Sequence, residues 1–176
     1  MASNMIPNLV TPRVLRFALA LSLLLVFAAR GQAKNNCPWM NEATASGLLG
    51  GDAVGEFTDF APPKPASCIF TQAGPNFTRT LRITVEVTPD THMHFETAAQ
   101  ACTKTASPLE AIGNEASMCT LESRNSGLTQ LVVGRVRDQL FTITFSTTLK
   151  EDPILTRMSL KEKAYTAAEQ VAGNLF

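Results

Sequence analysis

The sequence predicts an α+β fold: an antiparallel sheet of about five or six strands packed against a short N-terminal helix, a middle helix and a C-terminal helix, with two disulfides. Three observations predict it. The stretch 129–148, TQLVVGRVRDQLFTITFSTT, reads as two long strands meeting at Arg137-Asp138. Paired across that turn, Gly134 faces Phe141, Val132 faces Ile143 and Gln130 faces Phe145. Val132, Phe141, Ile143 and Phe145 then share one face, and Val133, Arg135, Thr142 and Thr144 the other, so one side lies on a core and one nearer water. Residues 80–88 alternate as strictly, with Leu81, Ile83, Val85 and Val87 on one side and Arg82, Thr84 and Glu86 on the other. Two later stretches instead repeat at helical spacing, Phe95, Ala98, Ala99 and Cys102 in the first and Leu160, Ala164, Ala167, Ala168, Val171 and Leu175 in the second.

The first thirty-three residues stand apart. Arg13 and Arg16 precede the apolar run 17–29, FALALSLLLVFAA, and Arg30 breaks it before Gly31-Gln32-Ala33. The run is shorter than the roughly 20 residues a membrane span needs, and it fits the apolar region of a secretory signal cleaved after Ala33. An uncleaved N-terminal anchor is the alternative. Residues 34–176 are then one exported domain, with no linker or low-complexity segment to split them. Its twelve Lys and Arg against fifteen Asp and Glu give a net charge of −3. That balance argues against a nucleic-acid or anionic-membrane surface, which need clustered cations.

Cys37, Cys68, Cys102 and Cys119 all fall in the exported part, and an even count in an oxidising compartment favours two disulfides. Of three connectivities, Cys37–Cys68 and Cys102–Cys119 are favoured, because each joins a helix to a nearby strand end. A metal site is disfavoured by the lack of a Cys-x-x-Cys pair or a histidine at ligand spacing from any cysteine.

Along the chain, 41–49 reads as a short helix capped by Asn41 and ended by Gly50-Gly51. Trp39 is expected to pack beside a disulfide. Strands are expected at 56–60 and 67–72, separated by Pro62, Pro63 and Pro65. Asn76-Phe77-Thr78, after a turn, matches the N-glycosylation acceptor, a tripeptide common by chance. Pro89-Asp90-Thr91 opens the middle helix, which Phe95 anchors to the sheet. Gly113-Asn114 supplies the positive φ of a tight reversal before a strand at 116–122, and 123–127 forms a loop. Asp152-Pro153 marks a helix start, and Ser159-Leu160-Lys161-Glu162 matches a capping box that restarts or bends the helix.

His92 and His94, the two histidines of the chain, flank Met93 in the first turn of the middle helix. A copper site can be imagined there, but their spacing of two puts them on different faces and no third ligand or recruiting carboxylate is evident. They read as solvent-exposed residues whose charge the helix dipole disfavours.

A cysteine before a short helix ending in Leu-Gly, Cys68-Ile69-Phe70 opening a strand, Ile112-Gly113-Asn114-Glu115-Ala116, a hairpin and a closing helix together form a pattern. It resembles the small secreted α+β domains of actinobacterial cell-envelope lipoproteins and, more distantly, the extracellular sensor domains of bacterial kinases. The resemblance spans nearly all of 37–176 and implies fold and compartment, with no chemistry to carry over; unlike those lipoproteins, this chain has no lipidated cysteine. The sequence thus points to a non-catalytic extracytoplasmic module of the bacterial envelope that binds a small ligand or an envelope protein, with no cofactor and no metal. A secreted hydrolase is the alternative, set against the clustered histidines, oxidised cysteines and missing Gly-x-Ser-x-Gly element. A structural secreted protein with no ligand is the third reading.

Overall fold

The computed structural model describes residues 36–61, 64–102, 106–122 and 127–176, so the signal segment and most of the 123–127 loop lie outside the described residues. Among the described residues seven strands form one antiparallel sheet in the order β1-β2-β3-β7-β6-β5-β4. They are β1 (Val54–Thr58), β2 (Ala66–Gly74), β3 (Phe77–Val87), β4 (Ser107–Pro108), β5 (Glu115–Glu122), β6 (Leu128–Val136) and β7 (Gln139–Thr147). The expected five or six strands become seven because a two-residue edge piece, Ser107-Pro108, pairs with Met118 and Ser117. Such a piece carries no alternation to read.

The order has a simple cause. The strands β1–β3 make one meander and β4–β7 a second, and the second runs inward from the far edge until β7 pairs with β3. The hairpin register is the expected one, Gly134 to Phe141, Val132 to Ile143 and Gln130 to Phe145. Gly134 is required there, since a Cβ would collide with the Phe141 ring on the neighbouring strand.

Among the described residues three helices cover the sheet: α1 (Glu42–Leu49), α2 (Thr91–Ala99, continued by a 3-10 turn to Cys102) and α3 (Arg157–Leu175). Asn41 caps α1 by accepting from the Thr44 amide at 2.8 Å, and Gly50 ends it at φ 83°. Helices α1 and α3 pack on the face holding Phe70, Leu81, Ile83, Val132, Phe141, Ile143 and Phe145. All six residues expected on the apolar side of α3 are buried, and its small alanines let the helix lie close on the strands. Trp39 is buried with its ring edge-on to Phe57, whose strand neighbour Cys68 is bonded to Cys37.

The opposite face differs from the sequence reading. Val133 is buried there rather than nearer water, with Leu131, Leu140, Cys102 and Cys119, and Phe95, Ala98 and Leu121 pack against them. Alternation within one hairpin shows that two faces exist; it does not show that a helix from elsewhere covers the second. Both disulfides form as expected, Cys37–Cys68 and Cys102–Cys119, and no described cysteine is free.

The start of α3 also needs correction. Asp152 and Pro153 do not begin it and Ser159 does not restart it; Thr156 is the N-cap, accepting from the Ser159 amide. Asp152 is instead the acceptor in a buried polar knot. Its carboxylate receives two bonds from Arg79, at 2.8 and 2.7 Å, one from Thr147 Oγ1 at 2.7 Å, and the amides of Ile154 and Leu155 at 2.9 Å. Arg79 also donates to Gln72 and to the Leu49 carbonyl at the end of α1, and its guanidinium lies 4.5 Å over the Phe77 ring. Burial alone would push the Asp152 carboxyl up, but these donors hold it far below the usual carboxylate range. The knot thereby joins α1, β2, β3, β7 and the approach to α3.

Candidate functional site

Among the described residues no buried side-chain polar atom lacks a hydrogen-bond partner, so the interior holds no polar group waiting for a ligand. A set of charged side chains that can meet a ligand gathers at one end of the sheet, where α2 begins. There the register puts Glu86, Leu140, Arg135 and Glu115 in one row across β3, β7, β6 and β5, on the face that α2 covers. The first turn of α2 straddles this row. His92 Nδ1 lies 2.7 Å from Glu115 Oε1, while His94 Nδ1 lies 3.4 Å from Glu86 Oε1 at the other end. The same Glu115 oxygen accepts from Arg135 Nε, and Glu96, one turn along the helix, stands 3.4 Å from His92 Nε2.

The electrostatics follow from this arrangement. A hydrogen bond with Glu115 and that carboxylate's charge raise the His92 pKa above 6.5, with Glu96 adding to them and Arg135 opposing. Partial burial pushes Glu115 up, but bonds from His92 and Arg135, with their charges, leave it below its ordinary value. Both histidines are exposed, as expected, and they face different strands. The expectation that no carboxylate recruits them is wrong: Glu115 and Glu96 lie against His92, and Glu86 against His94. One of the three, Glu96 at i+4 from His92, was legible in the sequence. Glu115 and Glu86 were not, because only the path of α2 across the sheet brings them in.

Beside this row opens a cleft of about 450 Å³ lined by Pro89, Asp90, Thr91, His92, Met93, Arg135, Arg137 and Asp138. One wall is the start of α2 and the other is the β6–β7 turn. Thr91, the hydroxyl residue of the lining, is buried and donates to the Thr88 carbonyl at 2.8 Å. At the turn, Arg137 sits at φ 56°, the left-handed region that glycine and asparagine adopt more readily. Asn114 holds it there by accepting the Arg137 amide at 2.6 Å, while donating its own amide to the Arg135 carbonyl. The expected reversal at Gly113-Asn114 is thus present, with Gly113 at φ 60°, and it doubles as the brace of the cleft. The Arg137 guanidinium lies 5.9 Å over the Phe176 ring, and no described carboxylate pairs with it.

The sequence-predicted site residues fall into two sets. The four cysteines pair two by two, one bridge on each face of the sheet. His92 lines the cleft and His94 does not. No group of three or more His, Cys, Asp and Glu suited to a metal ion occurs among the described residues. Comparison of the chain with protein-family models, with curated proteins and with solved structures finds no match. Two disulfides fit an oxidising compartment, and no described helix is long and apolar enough to cross a membrane.

Proposed function

We propose that the chain is a non-catalytic extracytoplasmic binding module, secreted or periplasmic, whose site is the cleft between the start of α2 and the β6–β7 turn. Its ligand is a small polar molecule with a carboxylate or phosphate group. The observation that carries this reading is Arg137. A long cationic side chain occupies a backbone position that favours glycine by about 1 kcal/mol, and such local strain is retained where the side chain has work to do. Arg137 lines the cleft beside Arg135 and His92, and its guanidinium, over the Phe176 ring, has no described carboxylate partner, so a planar cation is at hand for a two-oxygen anion. The alternative of a hydrolase has one observation in its favour, the His92–Glu115 contact, which orients an imidazole as a base partner would. Against it, the one hydroxyl in the cleft lining belongs to buried Thr91 and is already committed, and the described cysteines are oxidised.

Thermal-shift screening of the full, disulfide-bonded chain against small carboxylates and phosphates tests the proposal, with Arg137→Gly as comparator. The glycine relieves the turn and removes the cation. A ligand that raises the melting temperature of the native chain and loses that effect in Arg137→Gly supports the cleft. A ligand that binds both equally places the site elsewhere, and turnover of a screened compound revives the hydrolase.

A further inference from the structure

Helix α2 is lightly seated. Of its nine residues only Thr91 is buried, and the half-buried Phe95 and Ala98 rest on a cluster of five side chains. Its two ends are held by different means. Just past the C-terminal end, Cys102 is bonded to Cys119 on β5, a tie that a change of pH leaves intact. The N-terminal end is held through His92 on Glu115 and His94 on Glu86, the two acidic ends of the row under the first turn. We infer that the His92–Glu115 contact is a proton-operated clamp, which seats the first turn of α2 when the His92 imidazole is charged and loosens it, with one wall of the cleft, when it is neutral.

The surrounding charges favour this direction. His92 faces Glu115 from β5, Glu96 from its own helix and Arg135 from β6, with Asp90, Arg137 and Asp138 around the cleft; His94 faces Glu86 from β3. Neither β7 nor the 3-10 turn carries an ionisable side chain that could oppose them. The raised pKa of His92 gives the sign. The proton binds the seated helix more tightly than the free one, so the clamp is complete below pH 6.5 and fades as pH rises through the raised value. Loosening moves Pro89 to Met93, the α2 wall, relative to a sheet wall braced by Asn114. This consequence for binding rests on the cleft reading above; the clamp itself does not.

Amide hydrogen exchange of the full, disulfide-bonded chain, corrected for intrinsic rates, tests the clamp from about pH 5.5 to about pH 8.5. Protection over 91–99 should fall roughly two- to fivefold across that range, the scale of exposed ion pairs, while β6 and β7 stay constant. His92→Gln should remove most of the fall. Glu115→Gln should lower the pH at which the His92 imidazole titrates by NMR. Protection over 91–99 that is flat with pH in the native chain, or a fall that survives His92→Gln, overturns the clamp. So does a fall shared equally by β6 and β7. The experiment uses no ligand, so a cleft that binds nothing leaves the clamp standing, and a ligand-binding chain with flat protection loses the clamp alone.

Discussion

Replacing Asp152 tests whether the buried knot, rather than the apolar contacts around it, fastens the helices to the sheet. Asp152→Asn keeps the volume and removes the charge, leaving the Arg79 guanidinium, 3% exposed, without its counter-ion. Breaking one half of a buried pair costs about 3 to 5 kcal/mol, and the five donors converging on this carboxylate place the loss within that range. The pH dependence has a definite sign. Above the ordinary carboxylate range near pH 4, Asp152 is ionised in both folded and unfolded chains and its contribution is complete. As pH falls below that range, the unfolded chain takes up a proton that the folded chain refuses, because its pKa is held far lower, and stability is lost. Urea unfolding at neutral pH and at about pH 3 should therefore show a large gap between native chain and Asp152→Asn that narrows in acid. Arg79→Met and the double variant complete a cycle that isolates the coupling. An Asp152→Asn chain within 1 kcal/mol of native at neutral pH, or one with the same acid sensitivity, would refute the reasoning.

Other outcomes follow from the sheet and its crosslinks. Phe141→Ala should cost about 3 to 5 kcal/mol and Thr142→Ala much less, since Phe141 is fully buried and its neighbour only in part; equal losses by chemical denaturation would contradict the register. Val133→Ala should lose roughly 1 to 3 kcal/mol because α2 covers that face, whereas a solvated residue would lose almost nothing. Gly134→Ala should cost roughly 1 to 3 kcal/mol by pressing on the Phe141 ring, and Gly134→Ala combined with Phe141→Leu should cost less than the sum of the two. In the chain-entropy model the 17-residue and 31-residue disulfide loops contribute about 3 and about 3.7 kcal/mol. Non-reducing peptide mapping that recovers any other pairing would break both the topology and these figures.

Much of this architecture was legible because it is local. The register of β6 and β7 follows from a period of two on either side of one turn, and the buried side of α3 from a period of 3.6 within a single segment. Asn41 and Gly50 mark the ends of α1 by their own hydrogen bonds and φ values, and each disulfide joins cysteines near in the chain, 31 and 17 residues apart. What tertiary structure decided is which distant segments share a face. The meeting of β7 with β3 leaves no mark in either strand, because the pairing needs only two compatible edges. Arg79, just before the expected strand, carried no signal and Asp152, 73 residues on, looked like a helix cap, until the fold enclosed both away from water, where each needs the other. The candidate cleft was equally hidden. His92, Glu115, Arg135 and Arg137 come from a helix, two strands and a turn, and they converge only because α2 crosses the second face of the sheet on its way from β3 to the far edge. A sequence pattern reports the environment of each residue along its own element, whereas a site is made between elements, by the path the chain takes from one to the next.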